Sequence, residues 1–233
     1  MERKQPFVSA VIVAAGTSTR MMSDITKQRM IICGMTVLQR CVSTFDSTDL
    51  ISEIVVVANE SEIKLIEDDL LSLKIKKPYR VVCGGSSRQE SVRCGFSAIS
   101  ADADYVAIHD GARCLVTAKL IESVVCSAVM HGAATLALKV TDTVKVVDGN
   151  FIKATQDREC LYLAQTPQVF RVDMYGRALS NCISDVTDDN MLVEALGERI
   201  FIVDSSRDNI KITTQDDLGY AEYVVNKRNR ENG

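Results

Sequence analysis

The sequence predicts an α/β fold: a mainly parallel sheet flanked by helices, with a β-hairpin protruding from it. Three observations carry that reading. Short Val- and Ile-rich runs recur, amphipathic segments alternate with them, and one pair of alternating runs brackets an Asp-Gly-Asn turn. The first run, Phe7 to Ala14, is β-branched and ends at Gly16, as a buried strand does. A helix over Val37 to Phe45 follows, then a strand over Glu53 to Ala58. Ser61 to Ser72 has helical spacing, with Ile63, Ile66, Leu70 and Leu73 on one stripe. The alternation continues with a strand at Tyr79 to Cys83, a helix at Arg88 to Ile99, a strand at Tyr105 to His109, a helix at Thr117 to Met130 and a strand at Ala133 to Val140.

The rhythm then changes. Thr143 to Val147 and Phe151 to Thr155 read as two strands around Asp148-Gly149-Asn150. Two strands alone are marginal in water, so this hairpin needs a surface to pack on, either its own body or a second copy of the chain. The α/β pattern returns with a strand at Gln165 to Phe170, helices at Asp173 to Cys182 and Asp188 to Leu196, and a strand at Arg199 to Val203. A last helix, Asp216 to Val225, follows a capping signature at Thr214 to Asp217. No repeat or linker divides the chain, so 1–233 reads as a single domain.

Composition bounds the function. The 233 residues are 46% hydrophobic and 25% charged, enough to bury a full core. With 27 Lys and Arg against 31 Asp and Glu, the formal charge is -4 and the pI about 5.3. That balance argues against nucleic acid or an anionic membrane as partner, so any anion must be held by a few placed cations. The eight cysteines form no CxxC pair, which predicts buried free thiols and a reducing, cytoplasmic setting. Two histidines leave little for a His-rich metal site. The N-terminus reads as a first strand rather than a secretory signal, and Ser123 to Leu138 falls short of the about 20 apolar residues a membrane span needs.

Ligands of such sheets bind where parallel strands end, so chemistry is sought in the loops. After the first strand come Ala14-Ala15-Gly16, then Arg20 and Lys27, a small-residue turn with two cations. It is neither a Walker loop nor a dinucleotide fingerprint, and a plain βα turn is an equal reading. Gly84-Gly85-Ser86-Ser87-Arg88 opens a helix; the glycines permit close approach, or Ser86 or Ser87 simply caps. Asp110, at the end of a buried strand, has the chemistry of a Mg²⁺ ligand, or it caps its turn and pairs with Arg113. His109 reads as a structural histidine. Arg158, Thr166-Pro167-Gln168 and Asp208 to Thr213 are weaker signals, yet Arg20, Lys27, Arg158 and Lys211 together could hold two phosphorylated substrates.

Seven segments occur in one order: Ala14-Ala15-Gly16 with Arg20-Met21 and Lys27-Gln28, Gly84 to Val92, His109 to Arg113, Asp142 to Lys145, Thr166 to Gln168, Thr187 to Asp189, and Asn209 to Thr213. That order resembles the 2-C-methyl-D-erythritol 4-phosphate cytidylyltransferase family of non-mevalonate isoprenoid biosynthesis, from about Val8 to Val225. The resemblance implies a Rossmann-like nucleotidyltransferase that joins CTP to methylerythritol phosphate, uses Mg²⁺ or another divalent cation, and releases pyrophosphate. It implies that Arg20 and Lys27 stabilise the α-phosphorus transition state, and that Arg158 and Lys211 position the attacking phosphate. It further places Ala14, Ala15, Gly16, Gly85, Ser91 and Asp110 at the nucleotide. Asp110, Thr143 and Thr166 go to the polyol phosphate, and Asp110 with Asp208 to the metal. Residues 141–158 would form a dimerisation arm that carries Thr143 and Arg158 into the partner's site.

Direct attack of a phosphate oxygen needs positioning and cations rather than a nucleophilic side chain, which agrees with the scarcity of histidine. Ser18, Thr26, Arg29, Gly111 and Cys114 depart from the family pattern, which predicts a first loop that is mobile without CTP. Two alternatives stand beside the main reading: D-ribitol-5-phosphate cytidylyltransferase, and a CTP-binding homologue without catalysis.

Overall fold

The computed structural model describes residues 5–16, 26–181 and 186–231. Its strands are β1 (Val8–Val13), β2 (Ile31–Ile32), β3 (Met35–Thr36), β4 (Glu53–Ala58), β5 (Tyr79–Cys83), β6 (Tyr105–Asp110), β7 (Ala133–Lys139), β8 (Lys145–Asp148), β9 (Phe151–Thr155), β10 (Tyr162–Arg171) and β11 (Phe201–Asp204). Its helices are α1 (Val37–Asp46), α2 (Ile63–Leu71), α3 (Arg88–Ser97), α4 (Ala118–His131), α5 (Val172–Ser180), α6 (Asp189–Glu194) and α7 (Gln215–Glu231).

The main sheet runs β11-β7-β10-β6-β1-β4-β5. Neighbours pair in parallel except β10, which lies antiparallel between β6 and β7. The mainly parallel sheet therefore stands, with one reversed strand that apolar periodicity could not orient. Both faces are covered. Along β1, Val8, Ala10 and Ile12 pack into a core with residues of α1, α2, α4 and α7, while Val11 joins the opposite core with residues of α3, α5 and α6. The period of two is that of a strand buried on both sides.

Several elements show why they form where they do. Thr36 and Gln39 make a reciprocal capping box at the start of α1. Asp217 accepts from the backbone N–H groups of Thr213 and Thr214, and its own N–H donates to Thr214 Oγ1, which fixes the start of α7. Gly132, at φ +88°, ends α4 in a backbone state that L side chains rarely adopt. The helix α7 runs past the expected Val225 to Glu231, because Arg228 Nη1 ties its polar end to Leu115 O at 2.9 Å. The small β2–β3 pair was not legible in the sequence, since two-residue strands carry no periodicity.

The hairpin pairs β8 with β9 around Gly149-Asn150, and both strands are exposed throughout. Phe151 is 82% and Ile152 66% exposed, so the hairpin is uncovered by the described residues. The thiol reading is corrected in part. The described cysteines are free, but Cys33, Cys83, Cys126 and Cys160 are exposed and only Cys41 and Cys114 are buried. Short apolar runs do not distinguish a covered position from one at a helix end or loop. No helix among the described residues is long and apolar enough to cross a membrane.

Candidate active site

Three loops at the carboxyl ends of β1, β5 and β6 converge with a segment of β10 and the stretch after β11. They enclose two adjoining cavities. The larger, about 470 Å³, is lined by Ala15, Gly16, Lys27, Gln28, Gly85 and Ser91 among others. The smaller, about 220 Å³, includes Arg113, Gln165, Thr166, Gln168 and Asp188. Arg88, Asp110 and Lys211 line both and form the partition between them.

The Gly84-Gly85 loop is shaped by packing. A Cβ on Gly84 would lie 2.7 Å from Ala15 Cβ and 2.8 Å from Ser91 Oγ, and one on Gly85 only 2.3 Å from Glu90 Cβ. The glycines thus let the loop fold against its own neighbours. Ser91, 2% exposed, accepts from Gly85 N–H at 3.2 Å and donates to Ser87 O at 2.8 Å. Ser87 is the N-cap of α3, accepting from Glu90 N–H. Capping and close approach therefore coexist here.

On the next strand, Asp110 Oδ2 lies 2.8 Å from Lys211 Nζ and 3.9 Å from Arg113 Nε, while Oδ1 accepts from Arg88 Nε at 3.2 Å. Burial alone would raise this carboxyl; the charges of Arg88, Lys211 and Arg113 overcome burial and hold it well below the usual carboxylate range. Arg88 also donates from Nη1 to Asp189 Oδ2 at 2.8 Å. Between two carboxylates, and against the effect of its burial, its guanidinium is held more firmly protonated than usual.

His109 is structural. Its Nδ1 is 3.0 Å from Thr166 Oγ1 and its Nε2 3.2 Å from Arg113 O. Thr166 Oγ1 also accepts from Asp110 N–H at 3.0 Å. One tautomer satisfies all of these contacts: Nε2–H donates to the carbonyl and the threonine hydroxyl donates to Nδ1. Burial lowers the imidazole to about 4, so the ring is neutral.

Of the residues singled out in the sequence, Ala15, Gly16, Lys27, Gly85, Ser91, Asp110, Thr166 and Lys211 border the cavities. Ala14 does not: its side chain is in the core and its N–H donates to Val57 O at 2.7 Å. Asp208 lines neither cavity and has partners elsewhere. Its Oδ1 accepts from Tyr220 O–H at 2.8 Å and its Oδ2 faces Arg228 Nη2 at 3.5 Å, because α7 supplies both partners. Thr143 and Arg158 are exposed at the base of the hairpin and line neither cavity, with Arg158 Nη1 on Thr141 O at 2.7 Å. Arg20 and Ser18, and with them the expectation of a mobile first loop, lie outside the described residues. Thr26 and Arg29, both off-pattern, bond Glu62 Oε1 at 2.6 Å and Asp69 Oδ2 at 3.1 Å. Arg88, Arg113, Gln168 and Asp189 were not assigned roles from the sequence. Arg88 stood in the glycine motif and Asp189 in Thr187 to Asp189, but nothing local showed that they meet.

Among the described residues, no three His, Cys, Asp or Glu gather to hold a metal. Asp188 is committed to capping α6 and to Gln168 and Asn190. Among the described residues that line the larger cavity, Asp110 is the one carboxylate, and a carboxylate beside substrate phosphates is a donor set that suits Mg²⁺.

A doubly covered α/β sheet whose loop cavity combines backbone turns with Lys27, Arg88 and Lys211 has the equipment of a nucleotidyltransferase. Residues 8–227 match the sequence model of the family described as 2-C-methyl-D-erythritol 4-phosphate cytidylyltransferase, and the chain belongs to that family. A relative of that name from Caldanaerobacter subterraneus subsp. tengcongensis is 41% identical over 225 residues, covering 94% of this chain and 99% of the relative. Another from Clostridium novyi is 39% identical over 222 residues, covering 93% and 95%. Among solved structures, 4-diphosphocytidyl-2C-methyl-D-erythritol synthase from Anaerococcus prevotii superposes with a TM-score of 0.85 at 29% identity, covering 96% of this chain and all of that one. The Francisella tularensis 2-C-methyl-D-erythritol 4-phosphate cytidylyltransferase gives 0.78 at 30% identity, covering 93% and 99%. These likenesses do not favour the ribitol phosphate alternative.

Proposed function

We propose that the larger cavity takes CTP, the smaller takes 2-C-methyl-D-erythritol 4-phosphate, and the chain joins them with release of pyrophosphate. The observation that carries this is the shared wall. Two polar cavities meet at Arg88, Asp110 and Lys211, so an anion in one can face an anion in the other across cationic side chains. A phosphate oxygen of the acceptor attacks the α-phosphorus of CTP; the new P–O bond forms as the bond to the β-phosphate breaks, and pyrophosphate leaves. No side chain need become covalently bonded.

The chain's part is to orient and to neutralise. Lys27, with Arg20 by family likeness, stabilises the charge that grows on the α-phosphoryl group. Lys211 and Arg113 receive the acceptor phosphate, while Asp110 keeps Lys211 at the partition. The backbone of Ala15, Gly16 and Gly85, buttressed by Ser91, shapes the nucleotide side. A divalent cation such as Mg²⁺, held by Asp110 and the substrate phosphates, supplies further charge neutralisation when bound. Thr143 and Arg158 do not line their own chain's cavities, which supports a homodimer in which each hairpin serves its partner's acceptor site. The free thiols support a cytoplasmic setting.

The test is steady-state pyrophosphate release from CTP and Mg²⁺ with methylerythritol phosphate or ribitol 5-phosphate. Turnover is expected with the first and at least about 10²-fold weaker with the second, since a mismatched polyol leaves polar groups of the site unpaired. Equal or better turnover with ribitol 5-phosphate would overturn the substrate. CTP binding without pyrophosphate release from either acceptor would point instead to a binding homologue.

A further inference from the structure

A line of hydrogen-bonded charges runs from the core of the molecule to the partition between the cavities. Tyr175, on α5, is fully buried, its ring 5.2 Å from those of Phe170 and Phe96. Its hydroxyl donates to Asp189 Oδ1 at 2.6 Å. Asp189 Oδ2 accepts from Arg88 Nη1 at 2.8 Å, Arg88 Nε donates to Asp110 Oδ1 at 3.2 Å, and Asp110 Oδ2 meets Lys211 Nζ at 2.8 Å. The Asp189 backbone N–H is also fixed, on Gln168 Oε1 at 3.1 Å.

Asp189 is 2% exposed, and a buried carboxylate paired with an arginine adds little stability over apolar side chains of the same volume. What the pair does supply is orientation. Each oxygen of Asp189 has a different partner, so the carboxylate has one rotation, and Arg88 is anchored at one end of its fork. The other end then grips Asp110 Oδ1, leaving Oδ2 to Lys211. Without that anchor the arginine could swing to pair with either substrate's phosphates, and Asp110 would be left to Lys211 and Arg113 with its rotation less fixed.

We propose that Tyr175 and Asp189 are positioning residues for the acceptor: through Arg88 they fix the rotation of Asp110 and hence the place of Lys211. This rests on the assignment of the smaller cavity to the sugar phosphate. The effect is larger on that side because Gln168, which fixes the Asp189 N–H, and Asp188 line only the smaller cavity, whereas the Gly85 and Ser86 backbone of the larger one has ties of its own to Ser91 and Glu90 beside the three residues that both cavities share.

The experiment is pyrophosphate release by the full chain and its Tyr175→Phe, Asp189→Asn and Arg88→Lys variants, with both substrates titrated. Loss of a hydrogen bond to a charged group predicts about a tenfold fall in kcat/KM for the sugar phosphate in Tyr175→Phe, and about 10²-fold in Asp189→Asn. The KM for CTP should rise less than the KM for the sugar phosphate in both. In the Arg88→Lys background, Tyr175→Phe should cost less than about twofold more, because the connection is already broken. Unchanged kcat/KM in the folded variants, equal losses for both substrates, or full additivity with Arg88→Lys would overturn the inference. Should Asp189→Asn fail to fold, Tyr175→Phe still decides, since it keeps the ring contacts. Absence of turnover with methylerythritol phosphate by the unaltered chain would overturn the functional reading, and the inference with it.

Discussion

At the scale of single residues, burial decides charge state, and the outcomes differ between neighbours. His109 and Asp110 are adjacent and both buried, yet the imidazole is driven neutral while the carboxylate is kept ionised. The difference is in the partners: His109 meets a hydroxyl and a carbonyl, whereas Asp110 meets three cations. Because His109 falls from 6.5 to about 4 on folding, the unfolded chain binds the extra proton between those values. Stability is therefore predicted to fall as pH drops through that window, by up to about 3 kcal/mol from this residue. Asp110 acts in the same direction but only below 3.8, its unfolded value, as pH falls toward its depressed folded one. Urea unfolding at a series of pH values checks this. His109→Gln should flatten the slope between pH 6.5 and 4, and an unchanged slope would assign it to other groups.

At the scale of elements, the loop between β5 and α3 shows how a glycine serves a site through packing. Gly84 sits where Ala15 Cβ and Ser91 Oγ leave no room for a methyl group, and those neighbours border the larger cavity. Gly84→Ala must push one of them aside. The expected cost is about 1 to 3 kcal/mol of stability, as for other overpacked sites, with a raised KM for CTP. Thermal or chemical unfolding together with CTP titration reads both; a variant of full stability and unchanged KM would show that the loop gives way freely. Capping was readable here, since Ser87 precedes an apolar-periodic run, but the collision with Ala15 joins residues far apart in the chain.

At the scale of the whole molecule, the body covers its sheet on both faces while the hairpin stays uncovered. Phe151, Ile152 and Val147 are exposed on it, an apolar surface of the kind that marks an interaction site. If a second copy covers it, Phe151→Ser with Ile152→Ser should turn a dimer into a monomer in sedimentation velocity and lower turnover, since Thr143 and Arg158 would no longer reach a partner. A dimer that persists with full activity would place the interface elsewhere.

Much of the fold was legible in the residues. Glu53 to Ala58 and Tyr79 to Cys83 begin and end as read, because Val-rich runs between polar segments signal strands; the first is buried throughout, while the second is the half-exposed edge of the sheet. Direction was not legible: β10 reads as one more apolar run, and only its neighbours make it antiparallel. The site divides in the same way. Gly16, Lys27, Gly85, Asp110 and Lys211 stand in motifs whose order identifies the family, and all border the cavities. Asp208 stands just before such a motif, three residues from Lys211, yet its carboxylate meets Tyr220 and Arg228 of α7.

By itself, then, the sequence determined the alternation of strands and helices, the loops that carry chemistry and the class of reaction, because periodicity and motif order are local properties of the chain. Only the tertiary structure decided that Arg88 joins Asp110 to Asp189, that Tyr175 backs them from the core, and that one wall divides two cavities. Those facts depend on contacts between residues up to 101 positions apart, such as Arg88 and Asp189, and no local pattern encodes the distance between side chains that only folding brings together.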